Sequence, residues 1–472
     1  MSDVDEQHSG GIFGDLYPYK DRFETFAHLP PQGKDVEAIY RQLTAIAAEE
    51  DRQWETGQVS GTMYHGGREH YALLNRVFSL FSYANLLQRD LCPSGTKFEA
   101  EIVSMVANML HGEAAKSHRP SDAVCGAVTS GGSESIFNAL YVHREWARAE
   151  KGITAPEIVA PSTIHPACVK AAHYLGIRLI RVAVNDDFEA DVAGMGEQIT
   201  PNTIALVGSA GNYPYGVIDP LAALSDLALQ HGIGLHVDGC LGGFILPWIE
   251  KLGYAVPPFD FRLPGVTSMS CDTHKYGYSL KGTSVVLYRN PRLRRYQFFS
   301  MPDWPGGLYA SPTTQGSRSA GMSAAAWAAM VALGEEGYLQ AARAIMTTAE
   351  TMRAAIAQIP ELRVMGKSTF LIALTSKVVD IYHVNDDLLL KGWRMNGCQN
   401  PPGFHFCITL PQTLPGVAER FIADLRAAVE YAQHPPQHEP RSGALYGLAS
   451  LPAGQDILKE GMLAYLEATY ET

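Results

Sequence analysis

The sequence predicts an α/β protein with a mostly parallel central sheet and a smaller α+β unit at its C-terminal end. From about residue 125 onward, short segments rich in Val, Ile and Leu alternate with helical stretches, an order typical of βαβ units. After about residue 318 the pattern changes to long Ala-rich helices and mixed short segments. We therefore expect an N-terminal arm and helix over 1–60, a large domain over 61–317 and a small domain over 318–472.

The predicted strands are short and apolar, as expected for strands buried on both faces of a parallel sheet. They cover 157–160, 178–184, 203–209, 234–237, 265–270 and 284–288. Apolar residues at helical spacing predict helices over 34–55, 97–111, 133–150, 166–175, 322–333 and 339–358. Breaker residues predict an irregular arm over 1–33 and an exposed loop over 434–441.

Composition narrows the class of protein. A net charge of −12 with no long run of Lys or Arg argues against nucleic-acid binding. The seven cysteines include no CxxC pair, which argues against a disulfide framework or a zinc cluster and suits a reducing, cytoplasmic setting. The polar N-terminus lacks the apolar core of a signal peptide, and no apolar run is long enough for a membrane span.

A glycine-rich turn before a predicted helix is the first candidate site. Gly131 and Gly132 would let the backbone approach a ligand, and the helix start behind them offers unpaired N–H groups and a positive dipole end. Ser133 could donate to a phosphate or cap the helix. A capped turn with no ligand remains the alternative for this run on its own.

Three further candidates follow predicted strands. Asp238 lies where parallel sheets form their ligand crevice, and a carboxylate there can keep a cofactor's pyridine nitrogen protonated. Lys275, next to His274, suits a lysine that forms a Schiff base. His165 opens a helix and could stack on an aromatic ring. Taken singly, Asp238 and His165 are more ordinarily turn or helix caps, and a lone lysine is more ordinarily a solvated surface residue.

The order and spacing of these four signals strengthen one another. The arrangement resembles fold-type I enzymes that use pyridoxal 5'-phosphate (PLP), and most closely the sphingosine-1-phosphate lyase family within the PLP-dependent decarboxylases. The closer match rests on DTHKYGYSLKGTSVVLYRN at 272–290, GSAGNYPYGVIDP at 208–220 and PSGTKFEAEIVSM at 93–105. It extends from about residue 35 to about residue 320.

The resemblance implies a site for PLP. Lys275 would carry the Schiff base, Asp238 would pair with the pyridine nitrogen, and His165 would stack on the ring. The cofactor phosphate would be held by residues of the glycine-rich turn and by the histidine before the lysine: Gly131, Gly132, Ser133 and His274. Ser317 would reach the site from a partner subunit, so the resemblance implies a homodimer with shared active sites.

The same resemblance implies residues on the substrate side. Tyr64 would approach the substrate phosphate and the reacting carbon, and Tyr213 would be a second active-site tyrosine. Lys281, six residues after Lys275, would contact the substrate phosphate, and Asn85 would line the pocket. Without the family, core packing for the tyrosines and a solvated turn for Lys281 are the alternatives.

One position departs from the family pattern. The family segment Asn-Pro-Leu-His corresponds here to Asn85-Leu86-Leu87-Gln88, so a neutral amide stands where a phosphate-binding histidine is expected. Charge-assisted hydrogen bonds are roughly twice as strong as neutral ones. Either phosphate binding is weaker here or His65 compensates.

The activity that the resemblance implies is retro-aldol cleavage of sphingosine 1-phosphate, or a related phosphorylated sphingoid base, to a long-chain aldehyde and phosphoethanolamine. A group II amino-acid decarboxylase would share the PLP residues, but would need a group to orient an α-carboxylate. Tyr276 and Lys281 favour the lyase. A catalytically inactive PLP-fold binding protein is a further alternative, and the intact lysine, aspartate and histidine argue against it.

Overall fold

The structure, a computed structural model, describes residues 18–19, 22–436, 439–440, 442–443 and 452–471. The predicted arm over 1–33 and the predicted loop over 434–441 lie partly outside these residues. Among the described residues, no helix combines the length and the apolar character needed to cross a bilayer.

A seven-stranded sheet forms the centre of the molecule, as the strand pattern predicted. Its strands are β1 (Cys125–Thr129), β2 (Glu157–Pro161), β3 (Arg178–Val182), β4 (Thr203–Ser209), β5 (Gly234–Asp238), β6 (Ser268–Cys271) and β7 (Ser284–Tyr288). Their order in space is β1-β7-β6-β5-β4-β2-β3. Strand β7 pairs antiparallel with both neighbours, and the other pairs are parallel. The mostly parallel sheet is therefore confirmed.

Helices precede the sheet and connect its strands. They are α1 (Val36–Trp54), α2 (Arg68–Phe81), α3 (Pro93–Met109), α4 (Ala114–His118), α5 (Gly132–Lys151), α6 (Pro166–Leu175), α7 (Val192–Glu197), α8 (Leu221–His231), α9 (Leu246–Lys251) and α10 (Pro291–Arg294). The predicted helices over 34–55, 133–150 and 166–175 correspond to α1, α5 and α6. The helix predicted over 97–111 begins earlier, at Pro93, a residue well suited to a first turn.

The C-terminal part contains a second, antiparallel sheet. After the hairpin β8 (Phe299–Met301) and β9 (Tyr309–Ser311), the elements are α11 (Ala320–Ile356), β10 (Leu362–Val364), β11 (Leu371–Ser376), α12 (Ile381–Leu390), β12 (Asn396–Cys398), β13 (Gly403–Cys407), α13 (Val417–Gln433) and α14 (Pro452–Ala468). The four strands pair in the order β10-β11-β13-β12. Buried side chains of both sheets belong to one core cluster, and the domain boundary at 317/318 stays a prediction.

Further predicted elements differ from the structure. The strand predicted over 265–270 begins only at Ser268, because the N–H groups of Gly265 and Val266 bond to Ser225 and Leu263 and not to a neighbouring strand. The helices predicted over 322–333 and 339–358 are the two halves of α11, which bends at Gly334 (φ 57°, ψ −176°).

The segment before Tyr64 is attached to the C-terminal sheet. Val59 forms a bridge with Arg394. Ser60 Oγ accepts from the Cys407 N–H at 2.9 Å. The Gln412 side chain donates to the carbonyl of Val59 at 2.8 Å. These bonds hold an early part of the chain next to β13.

Candidate active site

The carboxyl ends of β5 and β6 bring the main candidates together. Asp238 is the last residue of β5, and Lys275 lies in the turn that follows β6. These parallel strands are neighbours in the sheet, with Asp238 opposite Ser270. Ligands of open α/β sheets bind at this edge.

Lys275 forms an ion pair inside the protein. Its Nζ lies 3.0 Å from Asp272 Oδ2, and the two side chains are 22% and 2% exposed. Burial alone would lower the pKa of Lys275, but Asp272, with Cys240 and Asp238, outweighs burial and raises it. Burial alone would raise the pKa of Asp272, and the charges of Lys275 and His274 bring it below its usual value.

Asp238 is buried and oriented by a chain of hydrogen bonds. Its Oδ1 accepts from the Cys240 N–H at 3.0 Å and from Ser270 Oγ at 3.2 Å. Ser270 Oγ lies 3.4 Å from His236 Nε2, and His236 Nδ1 lies 2.9 Å from Ser268 Oγ. Burial lowers the pKa of His236 to about 3, so this ring is neutral. Because both bonds to Asp238 reach Oδ1, Oδ2 is the oxygen available to a ring N–H.

The glycine-rich turn begins the 20-residue helix α5. Gly131 is the N-cap, so the capping alternative for the exposed Ser133 is wrong. A Cβ on Gly132 would lie 2.8 Å from both Asp272 Oδ2 and Cys240 Sγ. The turn therefore has no room for a side chain at this position, and the N–H groups behind it form a place for an anion.

The two other predicted cofactor residues, His274 and Ser317, are held by different parts of the chain. His274 Nδ1 donates to the Thr283 carbonyl, and its Nε2 lies 3.8 Å from Asp272 Oδ2. Ser317 Oγ accepts from Asn85 Nδ2 at 3.0 Å. The structure thus pairs two predicted site residues, Asn85 and Ser317, within one chain.

The histidine predicted to stack on the cofactor lies beside a tyrosine ring. His165 is the N-cap of α6, where its Nδ1 accepts from the Ala167 N–H at 3.1 Å. Its ring meets the Tyr213 ring edge-on at 5.9 Å, and Tyr213 meets His405 at 5.0 Å. Burial lowers the pKa of His165, with opposing contributions from Asp238 and Lys275. His165 is therefore both a helix cap and a neighbour of the charged site.

A second cation lies on an aromatic ring near the site. Lys281 Nζ donates to the Thr62 carbonyl at 2.8 Å and lies 4.9 Å from the centroid of the Tyr64 ring. The residue as a whole is exposed, but its ammonium lies against these protein atoms. Loss of hydration lowers the pKa of Lys281 to about 8, and the charge of Lys275 acts in the same direction. Tyr64 is buried, with its hydroxyl 4.0 Å from Cys407 Sγ.

His65 and Gln88, both predicted to contact the substrate phosphate, lie respectively among aromatic rings and on the surface. The His65 ring stacks on Tyr71, 4.5 Å between centroids, and lies 4.6 Å from Trp54. Gln88 is exposed, and its backbone N–H donates to the Asn85 carbonyl. Contact of either residue with a substrate phosphate stays a prediction.

Sequence reasoning gave no role to several residues that support the site. Asp272 belongs to the DTHKYG run, and its spacing of three residues from Lys275 in a turn is a usable signal for an ion pair. The role of the others could not be predicted, because their contacts are with distant parts of the chain. These residues are His236, Ser270, His405 and Cys407.

The residues present fit PLP. A buried lysine offers the amine for a Schiff base, and Asp238 offers a carboxylate with one oxygen available to the pyridine nitrogen. The start of α5, where Gly132 has no space for a Cβ, suits the phosphate. Together with the seven-stranded sheet, these features define a fold-type I PLP-dependent enzyme.

Comparisons with known proteins agree with this class. Residues 24–372 match the family model described as the pyridoxal-dependent decarboxylase conserved domain. Sphingosine-1-phosphate lyase of Arabidopsis thaliana is 44% identical over 449 residues, which cover 94% of this chain and 81% of the plant protein. The solved sphingosine-1-phosphate lyase of Burkholderia pseudomallei K96243 is 52% identical, with a TM-score of 0.88 over 89% of this chain and 96% of that one.

A more distant structure shares the fold alone. Glutamate decarboxylase of Lactobacillus brevis CGMCC 1306 is 20% identical, with a TM-score of 0.73 over 89% of this chain and 98% of that chain.

The chain belongs to the pyridoxal-dependent decarboxylase family and, within it, to the sphingosine-1-phosphate lyases. The cofactor of this family is pyridoxal 5'-phosphate.

Proposed function

We propose that this protein cleaves the C2–C3 bond of sphingosine 1-phosphate, or of a closely related phosphorylated sphingoid base, to a long-chain aldehyde and phosphoethanolamine. The observation that carries the proposal is the position of a second cation, Lys281. Its ammonium lies over the Tyr64 ring, close enough to Lys275 for the charge of Lys275 to lower the pKa of Lys281. Relatives that bear the name of this activity support it over 94% of the chain.

Lys281 suits a phosphate because it is a charged donor near the reactive lysine. Its ammonium donates to one backbone carbonyl, Thr62, and retains further N–H donors. A charge-assisted bond from this ammonium would anchor the phosphate end of the substrate. Anchoring that end restricts how C2 and C3 can lie beside Lys275, and such positioning is a large part of enzymatic rate enhancement.

Each residue of the cofactor site has a separate task. When bound, PLP supplies an electron sink for the pair of electrons from the C2–C3 bond. Lys275 would form the Schiff base, and Asp238 would hold the pyridine nitrogen protonated. Gly131, Gly132 and Ser133 at the start of α5, with His274, would hold the cofactor phosphate. His165 would cover one face of the ring.

Removal of the proton from the C3 hydroxyl needs a base, for which Tyr64, Tyr213 and the substrate phosphate are the candidates. Burial raises the pKa of Tyr64 well above that of tyrosine in water, and Cys407 acts in the same direction. Tyr64 therefore keeps its proton at neutral pH and acts better as a donor than as a base. Tyr213, which is 45% exposed, and the substrate phosphate are the stronger candidates.

The proposal includes a homodimer in which Ser317 reaches the partner's site, in a reducing, cytoplasmic setting. All seven cysteines are free, which supports such a setting. Large apolar side chains are exposed on and around the hairpin that precedes Ser317, which supports a subunit contact there. These side chains are Phe298, Phe299, Met301, Trp304 and Leu308.

A product assay tests the activity. Purified holoenzyme is incubated with phosphorylated sphingoid bases, aromatic amino acids or glutamate, and products are identified by mass spectrometry. We expect aldehyde and phosphoethanolamine in equal amounts and no carbon dioxide from the amino acids. Lys275→Ala serves as the control, because it should remove both turnover and the visible absorbance of the Schiff base. Carbon dioxide release without phosphoethanolamine would overturn the assignment.

A further inference from the structure

A second buried carboxylate, Asp272, lies beside the reactive amine. Its Oδ2 is 3.0 Å from Lys275 Nζ, and its side chain is 2% exposed. Its Oδ1 is buried and has no hydrogen-bond partner among the described residues. Asp272 is therefore a buried charged group whose closest cation is Lys275, with His274 Nε2 further away at 3.8 Å.

Packing fixes this carboxylate in place. A Cβ on Gly132 would lie 2.8 Å from Oδ2 and 2.9 Å from Oδ1, so the start of α5 lies directly against both oxygens. Charged and titratable groups face the pair from several packed elements and interact with Asp272, with Lys275 or with both. They are His274, Asp238, Cys240, Cys271, Tyr64, Cys407, Lys281 and His165.

Neither of the other acidic neighbours can replace Asp272 as the partner of the amine. Asp238 Oδ1 already accepts two hydrogen bonds, from Cys240 N–H and Ser270 Oγ, and this carboxylate serves the ring nitrogen. Burial raises the pKa of Cys240 far above its usual value, so this thiol is neutral. Among the residues that the structure describes, Asp272 is the anion within hydrogen-bond distance of Lys275 Nζ.

A buried carboxylate without a cation is costly, so it favours any state that returns one. While its nitrogen is joined to the cofactor, Lys275 can offer Asp272 at most one N–H group, whereas as a free ammonium it offers three. When substrate amine displaces Lys275, the freed nitrogen returns to a site where a fixed anion favours its protonated form.

We propose that Asp272 receives the Lys275 nitrogen each time the nitrogen is released from the cofactor, and holds it as an ammonium that donates the hydrogen gained by C2. The first part concerns the cofactor site alone, whereas the donation to C2 rests on the proposed function. Asp272 touches the reacting nitrogen and in this sense is a catalytic residue.

The donation moves one proton from the Lys275 ammonium to C2. One N–H bond of the ammonium breaks, and the C2–H bond forms with the electron pair left by the C2–C3 bond. Lys275 becomes a neutral amine, whose lone pair is then free to re-form the Schiff base as the product amine leaves. The proton gained by C2 is offset by the proton lost from the C3 hydroxyl, so no additional reactant is required.

The first test uses full-length apoenzyme and added PLP, without substrate. The rate of Schiff-base formation, followed by visible absorbance, depends on the neutral amine of Lys275. For the wild type we expect this rate to rise up to about pH 10 without a plateau, because free lysine titrates near 10.4 and Asp272 raises that value. Asp272→Asn should reach a plateau at lower pH and react about tenfold faster or more at pH 7.5, since each pKa unit changes the amine fraction about tenfold.

Asp219→Asn is the matched control. It removes another buried carboxylate, one that accepts from the N–H groups of Ser209 and Ala190 and does not contact Lys275. This variant should keep the wild-type pH profile of PLP binding. Superposable profiles for Asp272→Asn and wild type would overturn the proposal. A wild-type plateau below about pH 9 would overturn it as well, and that result needs no folded variant.

The second test separates the two products in a single turnover with sphingosine 1-phosphate. In Asp272→Asn, we expect aldehyde to appear in a burst equal to the number of sites, followed by phosphoethanolamine at a rate lowered about tenfold or more. Equal slowing of both products would overturn the donor role of the ion pair. Wild-type enzyme that makes neither product would refute the proposed function, while the PLP-binding test would still decide the first part.

Discussion

Lys275 and Lys281 are close in sequence but lie in opposite electrostatic surroundings. The carboxylate of Asp272 outweighs burial and raises the pKa of Lys275. Lys281 has no comparable anion at contact distance among its described partners, and loss of hydration lowers its pKa to about 8. One amine is thus held protonated, and the other loses its proton slightly above neutral pH.

This difference predicts a pH dependence for the substrate phosphate. The Lys281 ammonium is present below about pH 8 and is lost as the pH rises through that value, so kcat/KM for a phosphorylated substrate should fall on the alkaline side. Lys281→Arg should move this fall to higher pH, because a guanidinium stays charged. Lys281→Ala should lower kcat/KM at pH 7 by about 10- to 100-fold, as a lost hydrogen bond to a charged group is worth about 1.5–3 kcal/mol.

The measurement is a pH profile of kcat/KM for wild type and both variants, with PLP affinity determined in parallel. PLP affinity should stay unchanged, because the described contacts of Lys281 are with Thr62 and Tyr64 and not with the start of α5. If Lys281→Ala leaves the steady-state parameters as they are, Lys281 does not contact the phosphate.

Sequence reasoning brought forward the residues with local signals and missed those with distant partners. Lys275 and Asp238 could be proposed because a strand end and a short motif identify them. Cys407 could not, because its closeness to the Tyr64 hydroxyl arises from pairing of segments 343 residues apart. His236 lies inside the strand predicted over 234–237, and nothing in an apolar run indicates that its ring is bonded to Ser268.

At the scale of elements, the start of α5 is the point where the cofactor site is most tightly packed. Gly131 has a φ of 153°, which favours glycine, and Gly132 lies within contact distance of Asp272 and Cys240. The opposite end of the same helix is capped by Gly152, with a φ of 68° and open space around the position of a Cβ. Gly132 and Gly152 therefore stand at opposite ends of one helix, and only Gly132 lacks room for a side chain.

Substitution of these two glycines should separate cofactor binding from stability. Gly132→Ala places a methyl group 2.8 Å from Asp272 Oδ2 and from Cys240 Sγ, so the turn must move and the dissociation constant for PLP should rise by about tenfold or more. Gly152→Ala should lower the free energy of unfolding by about 1 kcal/mol and leave PLP affinity as in wild type. PLP titration and denaturant unfolding of both variants measure the two effects. Equal PLP affinity in Gly132→Ala and wild type would contradict a role for this turn.

The periodic pattern predicted the larger elements but not every one. Strand β1 escaped prediction because its run CGAVT has weak strand preference, and pairing with β7 fixes it. Helix α2 was also missed. Its one buried residue, Leu74, packs on Ala325, Ala328 and Ala329 of α11, about 250 positions further along the chain. Both elements depend on tertiary contacts more than on their own sequences.

At the scale of the whole molecule, the predicted sharing of sites between two subunits can be tested by mixing inactive variants. In a heterodimer of Lys275→Ala and Ser317→Arg, one site combines an intact Lys275 with an intact Ser317 only if Ser317 comes from the partner. Random exchange of the two variants in equal amounts makes about half of the dimers heterodimers, and each heterodimer then has one active site of its two. The mixture should therefore regain about a quarter of wild-type activity. Each variant alone should be inactive.

The result is read as specific activity after exchange, with dimer formation followed by light scattering. A mixture that stays inactive despite exchange would place Ser317 in the site of its own chain. The Asn85–Ser317 hydrogen bond within the chain makes Asn85→Ala a useful companion, because it removes the 3.0 Å bond and leaves Ser317 unchanged. This variant should weaken turnover less than Ser317→Arg.

The attachment of the Tyr64 segment to the C-terminal sheet has a consequence for how the protein matures. Ser60 bonds to backbone groups of His405 and Cys407, 345 and 347 residues later. During synthesis, the large sheet and Lys275 emerge from the ribosome well before these partners exist. Closure over such a long loop is slow. A nascent chain can therefore assemble its cofactor turn first, and the Tyr64 side of the pocket forms only after β13 has been translated.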